Sequence, residues 1–117
     1  MVGLEETLAR IALRDDRFIS SLARPGGGIE LDQRTGALAR LAALIGLDGA
    51  PASFVATVQD AQAAGASADE IVATLLAVLP SVGAVRASSA APKIALVLGY
   101  EPDPALEEDD RDWRRGP

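Results

Sequence analysis

The side chains in this sequence that could do chemistry are few, and most of them lie between residues 48 and 86. Ser53 and Thr57 are four residues apart, so a helix would place both hydroxyl groups on one face. Such a pair could hydrogen-bond a small polar ligand. Hydroxyl groups in helices also bond back to a carbonyl of their own helix, and we favour that interpretation for both residues.

Two carboxylates near the same segment are candidates for general acid–base catalysis, which would need both groups at one pocket. Asp48 and Asp60 are the acids nearest to the helix that would carry Ser53 and Thr57. Twelve residues of turn and helix separate them. We therefore do not expect a paired-carboxylate site.

Arg86 is the only charged residue between Glu70 and Lys93, in a segment made mostly of small and apolar residues. A guanidinium stays protonated, so it must have a partner or reach water. The partner would be an acid of this or a neighbouring subunit, or the carboxylate of a small anionic ligand. We favour the protein carboxylate.

Two residue types that dominate enzyme chemistry are missing. The 117 residues include no cysteine and no histidine. Disulfides, thiol redox chemistry, iron–sulfur clusters and thiolate zinc sites are excluded, and the commonest metal ligand is absent. We expect no metal and no cofactor.

The formal net charge of −6 is unevenly distributed. Residues 1–100 carry ten acids and eight bases, whereas residues 101–117 carry seven acids and three bases. No basic patch is available for a phosphate backbone, so we expect no binding of nucleic acid. The acidic segment 101–117, which contains Trp113, is predicted to be a flexible C-terminal tail.

The elements that must position these side chains are predicted to be helices. Apolar residues make up 49% of the chain but aromatic residues only 3%, which favours closely packed helices. Residues 1–100 show helical spacing and no strand-like alternation, so we predict an all-α fold of about six short helices. Ser67 and Glu70 form a capping box at the clearest helix start. We expect Pro80 to break or kink this helix and Pro92 to begin the last one.

Other helix ends are indicated by local signals. Asp15 or Asp16 is suited to cap a second helix, and Gly46 to end a third. Pro51 suits the first turn of a fourth helix, which Gly65 would close.

Several apolar positions are predicted to face the core. They are Phe18, Ile19, Leu22, Leu38, Leu41, Ala42, Ile45, Phe54, Val55, Val58 and Ala61. Residues 71–87 form the longest apolar run, but Pro80, Gly83 and Arg86 interrupt it and it is shorter than the roughly 20 residues that span a bilayer. We interpret this run as buried helix and expect no membrane association.

The first ten residues, MVGLEETLAR, are acidic and lack the basic and apolar regions of a signal peptide. We therefore expect a cytoplasmic protein.

The order of two segments resembles a known family. LDQRTGALARLAALIGLDGAPASF is followed by AAGASADEIVATLLAVLPSVGAV, and together they are similar to the carboxymuconolactone decarboxylase-like family, which includes the alkylhydroperoxidase D enzymes. The resemblance covers about residues 30–98. Its most specific part is the Ala-Gly-Ala-Ser-x-x-Glu-Ile helix start with the bend from Pro80 to Gly83. It implies that residues 1–100 form an alkylhydroperoxidase D-like helical domain that assembles into homotrimers or homohexamers.

The resemblance also identifies which positions would carry the family's chemistry. In the peroxidase branch, a Cys-x-x-Cys pair, an acid and a histidine reduce hydroperoxides, and in the decarboxylase branch a cavity lined by histidine and carboxylates acts on a lactone. The matching positions here hold Ala50, Pro51, Ser53 and Thr57, so none of these groups is present.

Two functions are compatible with this resemblance. The first is a catalytically degenerate family member, a small-molecule-binding or assembly subunit without thiol peroxidase activity. The alternative is a decarboxylase or lactone-acting enzyme of the family, or a peroxidase-type activity, that uses residues other than cysteine. If a small anionic ligand is bound, the candidate residues for binding it are Ser53, Thr57 and Arg86.

Overall fold

The computed structural model describes residues 3–24, 26 and 28–100. Within this part of the chain there are six α-helices and no strand, which confirms the predicted all-α fold. The predicted acidic tail, residues 101–117, lies outside the described residues together with Trp113.

The helices follow one another in chain order, and the third to sixth are the longer ones. They are α1 (Leu4–Ala12), α2 (Asp16–Leu22), α3 (Gln33–Gly46), α4 (Pro51–Ala63), α5 (Ala68–Val82) and α6 (Ala84–Leu98). The chain divides into two compact units between Asp32 and Gln33. Helices α3 to α6 therefore belong to the unit that carries the family resemblance.

The first unit contains α1 and α2. Of the two predicted caps, Asp15 and Asp16, it is Asp15 that caps α2, since its carboxylate accepts a hydrogen bond from the Phe18 amide at 3.2 Å. Phe18 is buried, and the guanidinium of Arg10 lies 5.1 Å from the centre of its ring. Ile19 was expected in the core but is exposed.

The second unit is built around one apolar core. Helix α3 packs on α4 and α5, and α6 packs on α3, α4 and α5. The buried residues of this core are Ala37, Leu41, Ile45, Phe54, Val58, Ala61, Ala66, Ile71, Ala90 and Ile94. Burial of each large apolar side chain stabilises the fold by roughly 1.5–3 kcal/mol. Val55 was also predicted to face the core, but its side chain is exposed on α4.

The start of α5 confirms the predicted capping box. The Ser67 hydroxyl accepts a hydrogen bond from the Glu70 amide at 3.1 Å, and the Glu70 carboxylate accepts one from the Ser67 amide at 3.0 Å. The other carboxylate oxygen of Glu70 lies 3.5 Å from Arg34 on α3. The bond from the Ser67 amide is the main reason that the pKa of Glu70 lies below its ordinary value.

Both internal prolines are tolerated inside helices. Pro80 does not break α5, which continues to Val82, and Pro92 lies in the middle of α6, so the predicted break at Pro80 and the predicted helix start at Pro92 are wrong. The break falls instead at Gly83, whose φ of 86° is rarely adopted by residues with a side chain. Tertiary packing on both sides of each proline, by Val82 and Ile94 for example, offsets the lost helical hydrogen bond.

Helix α5 is less buried than predicted. Only Ile71 is fully buried, whereas Val72, Leu76 and Leu79 are 40%, 62% and 38% exposed. The expectation of a buried helix is wrong for the side that carries Val72, Leu76 and Leu79. Helix α5 is apolar on nearly all sides, but α3 and α6 cover only one of them. None of the helices in the described ranges is long and apolar enough to cross a membrane.

Candidate functional site

The turn between α3 and α4 places a carboxylate in an unusual backbone conformation. The Asp48 amide donates to the Ile45 carbonyl and the Gly49 amide to the Leu44 carbonyl, which is the Schellman pattern of a helix end. Asp48 has a φ of 54°, a left-handed value that aspartate tolerates better than most residues. Glycine follows at position 49, where a Cβ atom would collide with the Leu44 side chain and force it to shift.

Three side chains of α6 meet this turn. The Ser89 hydroxyl donates a 2.6 Å hydrogen bond to Asp48 Oδ1. Lys93 Nζ donates to the Gly49 carbonyl at 2.9 Å and to Asp48 Oδ1 at 3.4 Å. Arg86 Nη1 lies 4.0 Å from Asp48 Oδ2. We call these five residues the Asp48 cluster.

The electrostatics of the Asp48 cluster favour its ionised form. The hydrogen bond from Ser89, followed by the hydrogen bond and charge of Lys93, lowers the pKa of Asp48 below its ordinary value. Lys93 is 22% exposed and its ammonium lies 5.4 Å from the centre of the Phe54 ring, within the range of a cation–π interaction. With one carboxylate, one lysine and one arginine, the cluster carries a net charge of +1 at neutral pH.

This geometry is poorly suited to covalent catalysis. The lowered pKa makes the Asp48 carboxylate a weaker base, which disfavours activation of the Ser89 hydroxyl as a nucleophile. Lys93 holds its ammonium protons in hydrogen bonds to two acceptors. Arg86 differs from both, because its side chain is 48% exposed and its contact with Asp48 is long. The guanidinium is therefore the more exposed of the two cationic groups of the cluster.

The four positions that the resemblance aligns with catalytic residues lie at the start of α4. Ala50 is the N-cap residue and makes no side-chain capping bond, and Pro51 is the first residue of the helix. Ser53 is exposed and Thr57 is half-buried. No hydrogen bond or ion pair within the described residues connects Ser53 or Thr57 to Arg86.

The hydroxyl groups of α4 do not behave as we expected. Neither Ser53 nor Thr57 donates a side-chain hydrogen bond to its own helix in the described part of the chain, whereas Thr7, Ser21 and Thr74 do so in other helices. The favoured interpretation of the α4 pair as back-bonded hydroxyls is therefore wrong.

The two candidate carboxylates, Asp48 and Asp60, differ in their contacts. Asp48 is the protein carboxylate that pairs with Arg86, which agrees with the favoured interpretation of this arginine. Asp60 lies exposed on α4 and takes part in none of the ion pairs of the described residues. In the same ranges no group of three or more acidic side chains could hold a metal ion.

Two members of the Asp48 cluster, Ser89 and Lys93, were missed in the sequence. Arg86, Ser89 and Lys93 follow one another at i, i+3 and i+7, which is the spacing of one helix face. The prediction that Pro92 begins a new helix concealed this spacing, because it assigned Lys93 to a different helix from Arg86 and Ser89. A continuous α6 brings all three side chains to the same turn.

The side of α4 that faces the core is apolar. Phe54, Val58 and Ala61 are its buried residues, and no polar or charged side chain is buried in the described part of the chain. The fold and the site thus define an all-α protein with a half-exposed polar cluster and a core without polar side chains. Comparisons with profiles of known families, with curated proteins and with solved structures found no match.

Proposed function

We propose that this protein is a cytoplasmic, catalytically degenerate member of the carboxymuconolactone decarboxylase-like family. It acts as the subunit of a homotrimer or homohexamer and has no thiol peroxidase activity. The proposal draws on the resemblance of residues 30–98 and on the chemistry of the residues at the four family positions.

The observation that carries this proposal is the apolar surface of α5. Val72, Leu76 and Leu79 are separated by four and three residues and lie exposed on the same side of the helix. Contiguous exposed apolar surface of this kind marks contact sites between proteins. Association of subunits would remove it from water.

The lack of a catalytic centre is supported by the surroundings of α4. Ser53 and Thr57 have no neighbouring base bonded to them, and the buried side of their helix is apolar. An unactivated hydroxyl is a weak nucleophile, and without cysteine no sulfenic acid or disulfide intermediate can form.

Two measurements test the proposal. Light scattering of the full chain at micromolar concentration should give three or six times the subunit mass of 12.0 kDa. Assays with hydroperoxides and a dithiol donor should show no turnover by the metal-free protein. A 12.0 kDa species would overturn the assembly role, and catalytic peroxide reduction would overturn the loss of peroxidase activity.

A second candidate function is favoured by Arg86. Its guanidinium is half-exposed, is held only at 4.0 Å by Asp48 and lies in a cluster with a net positive charge. Such a group suits a small carboxylate, as expected for a ligand-binding or lactone-acting member of the family. The variant Arg86→Met tests this function, because it removes the guanidinium.

A further inference from the structure

Asp48 is followed directly by Gly49, and this is the one Asp-Gly pair in a sequence that contains no asparagine. In such a pair the amide nitrogen of glycine can attack the side-chain carboxyl group of the aspartate, because glycine has no Cβ atom to hinder the approach. Water reaches the pair, since the Asp48 side chain is 46% exposed. The Asp48 cluster therefore contains a peptide bond that can rearrange without an enzyme.

We propose that Asp48 is a site of isoaspartate formation, and that the hydrogen bonds of the Asp48 cluster suppress this modification while α6 stays bonded to the turn after α3. Folded proteins open locally, so the site becomes reactive in molecules whose α6 has separated from this turn. The modification is independent of the proposed assembly and of any ligand at Arg86.

The reaction has two steps and needs only water. In the first step the Gly49 nitrogen bonds to Cγ of Asp48, and the hydroxyl group of the protonated carboxyl leaves with the amide proton as water, which gives a cyclic succinimide. In the second step water adds to a ring carbonyl carbon. Addition at Cγ restores aspartate, whereas addition at the main-chain carbonyl carbon breaks its bond to the Gly49 nitrogen and gives isoaspartate. The water that is lost is regained, so the mass is unchanged.

Both reacting groups are engaged in other bonds in the structure. The Gly49 amide donates to the Leu44 carbonyl at 3.1 Å, and Lys93 Nζ donates to the Gly49 carbonyl at 2.9 Å. Asp48 Oδ1 accepts from the Ser89 hydroxyl at 2.6 Å and from Lys93 Nζ at 3.4 Å. Ring closure requires the carboxyl group and the amide to rotate towards each other, so these bonds must break first.

The charges of the cluster act in the same direction. The first step uses the neutral carboxyl group, because a carboxylate is a poor electrophile. The hydrogen bond from Ser89 and the bond and charge of Lys93 lower the pKa of Asp48, so its neutral form is rarer than in an open chain. Separation of α6 from the turn removes both kinds of protection at once.

Isoaspartate at position 48 would break the link between the turn and α6. The backbone gains one carbon atom, and the free carboxylate is attached directly to Cα instead of through a methylene group. This shorter carboxylate no longer reaches Ser89 and Lys93 from the same turn. It is the group that isoaspartyl methyltransferases recognise, which transfer a methyl group to it from S-adenosylmethionine.

The first test measures isoaspartate at position 48 in the full chain, native or unfolded in guanidinium chloride, during incubation at neutral pH. After removal of the denaturant and proteolysis, labelling with an isoaspartyl methyltransferase and peptide mapping locate the modification. The native chain should react at least roughly tenfold more slowly, as expected when more than one hydrogen bond must break. Asp48→Glu should give no label at this position, because glutamate would have to form a six-membered ring.

The second test compares two neighbouring serines of α6. Ser89→Ala removes the bond to Asp48 Oδ1 and should accelerate the reaction in the native chain roughly two- to tenfold, the factor for one hydrogen bond. Ser88→Ala is the matched control, because Ser88 is exposed and its hydroxyl makes no hydrogen bond to described residues. It should react at the wild-type rate. Lys93→Met, which removes two bonds to the dipeptide, should also accelerate the reaction.

A third variant separates local from global opening. Ser67→Ala weakens the cap of α5, far along the chain from Asp48, and should leave the rate unchanged. Circular dichroism should show that all variants fold. Equal rates in native and unfolded wild type, or equal acceleration by Ser67→Ala and Ser89→Ala, would overturn protection by the cluster. Absence of isoaspartate at position 48 in the unfolded chain would overturn the modification site itself.

Discussion

At the scale of single residues, Asp48 combines a backbone position that usually favours glycine with side-chain contacts that glycine could not make. Its carboxylate links the turn after α3 to Ser89, Lys93 and Arg86 on α6. Residues 38 to 45 positions apart in the chain are thereby held together. We interpret the Asp48 cluster first as a structural link and second as a surface that attracts anions.

The lowered pKa of Asp48 predicts a dependence of stability on pH. The folded pKa lies below the unfolded value of about 3.9, so the contribution of the carboxylate is complete above that value and is lost as the pH falls through the folded pKa. Asp48→Asn removes this titration but keeps an oxygen that accepts hydrogen bonds. The wild type should melt at a higher temperature than this variant at pH 7, and the difference should shrink below about pH 4.

Thermal melts of both proteins between pH 7 and the acid transition measure this difference. Glu70, whose pKa is also lowered, is present in both proteins and cancels in the comparison. A difference that stays constant down to the lowest pH would show that ionisation of Asp48 does not stabilise the fold.

Substitution of Arg86 tests the second candidate function. Because Arg86 is half-exposed and its ion pair is long, Arg86→Met should lower the melting temperature by only about 5 °C or less. If a small carboxylate binds at Arg86, a panel of such compounds contains one that raises the melting temperature of the wild type but not of the variant.

The matched control is Arg40→Met, which removes an exposed arginine of α3 outside the Asp48 cluster. It should respond to the same carboxylate as the wild type does. Equal stabilisation of the Arg86 variant would show that the ligand binds elsewhere, and no stabilisation of any protein by the panel would remove the support for this function.

At the scale of elements, a local sequence signal determines where α5 begins, and tertiary packing stabilises the helix around Pro80. The capping box fixes where the helix begins, since it satisfies two amide groups that have no helical partner. Val78 and Val82 pack on the core, and these contacts stabilise the helix on both sides of Pro80. Helix α5 then ends at Gly83, which has a positive φ of 86°, and α6 begins at the next residue, Ala84.

The capping box should contribute measurably to stability. Ser67→Ala removes the hydroxyl that accepts the Glu70 amide bond and should lower the free energy of unfolding by about 1 kcal/mol. Urea denaturation measures this change. Ser81→Ala is the control, because Ser81 is an exposed serine near the end of the same helix and its hydroxyl makes no hydrogen bond to described residues. Equal losses in the two variants would contradict a specific role of the cap.

At the scale of the whole molecule, the buried core is confined to a limited part of the chain. All fully buried residues of the second unit lie between Ala37 and Ile94. The partly buried residues that pack against this core extend to Leu98, the last residue of α6. The segment 101–117 is rich in acids and contains prolines, a composition that buries little apolar surface.

Removal of residues 101–117 should consequently leave the fold and the assembly intact. A chain that ends at Tyr100 is expected to keep the helical content of the full protein and to melt within about 5 °C of it. Circular dichroism and light scattering provide the comparison with the full chain. Loss of folding, or a change in the number of subunits, would show that the acidic segment has a structural role.

The sequence by itself determined those features that depend on neighbouring residues. The cap at Asp15, the end of α3 at Gly46 and the start of α4 at Pro51 were all predicted correctly, because helix ends are set by hydrogen bonds and backbone angles within a few residues. The all-α class follows from the helical spacing of apolar residues. The exclusion of thiol chemistry follows from composition alone.

Only the tertiary structure decided which helix faces are covered and which distant side chains meet. The apolar pattern of α5 is the same on its buried and its exposed side, so the exposure of Leu76 depends on where α3 and α6 pack. The continuity of α6 through Pro92 brings Arg86, Ser89 and Lys93 to Asp48. Local propensity cannot predict this, since the energy that keeps Pro92 inside a helix comes from core contacts between segments far apart in the chain.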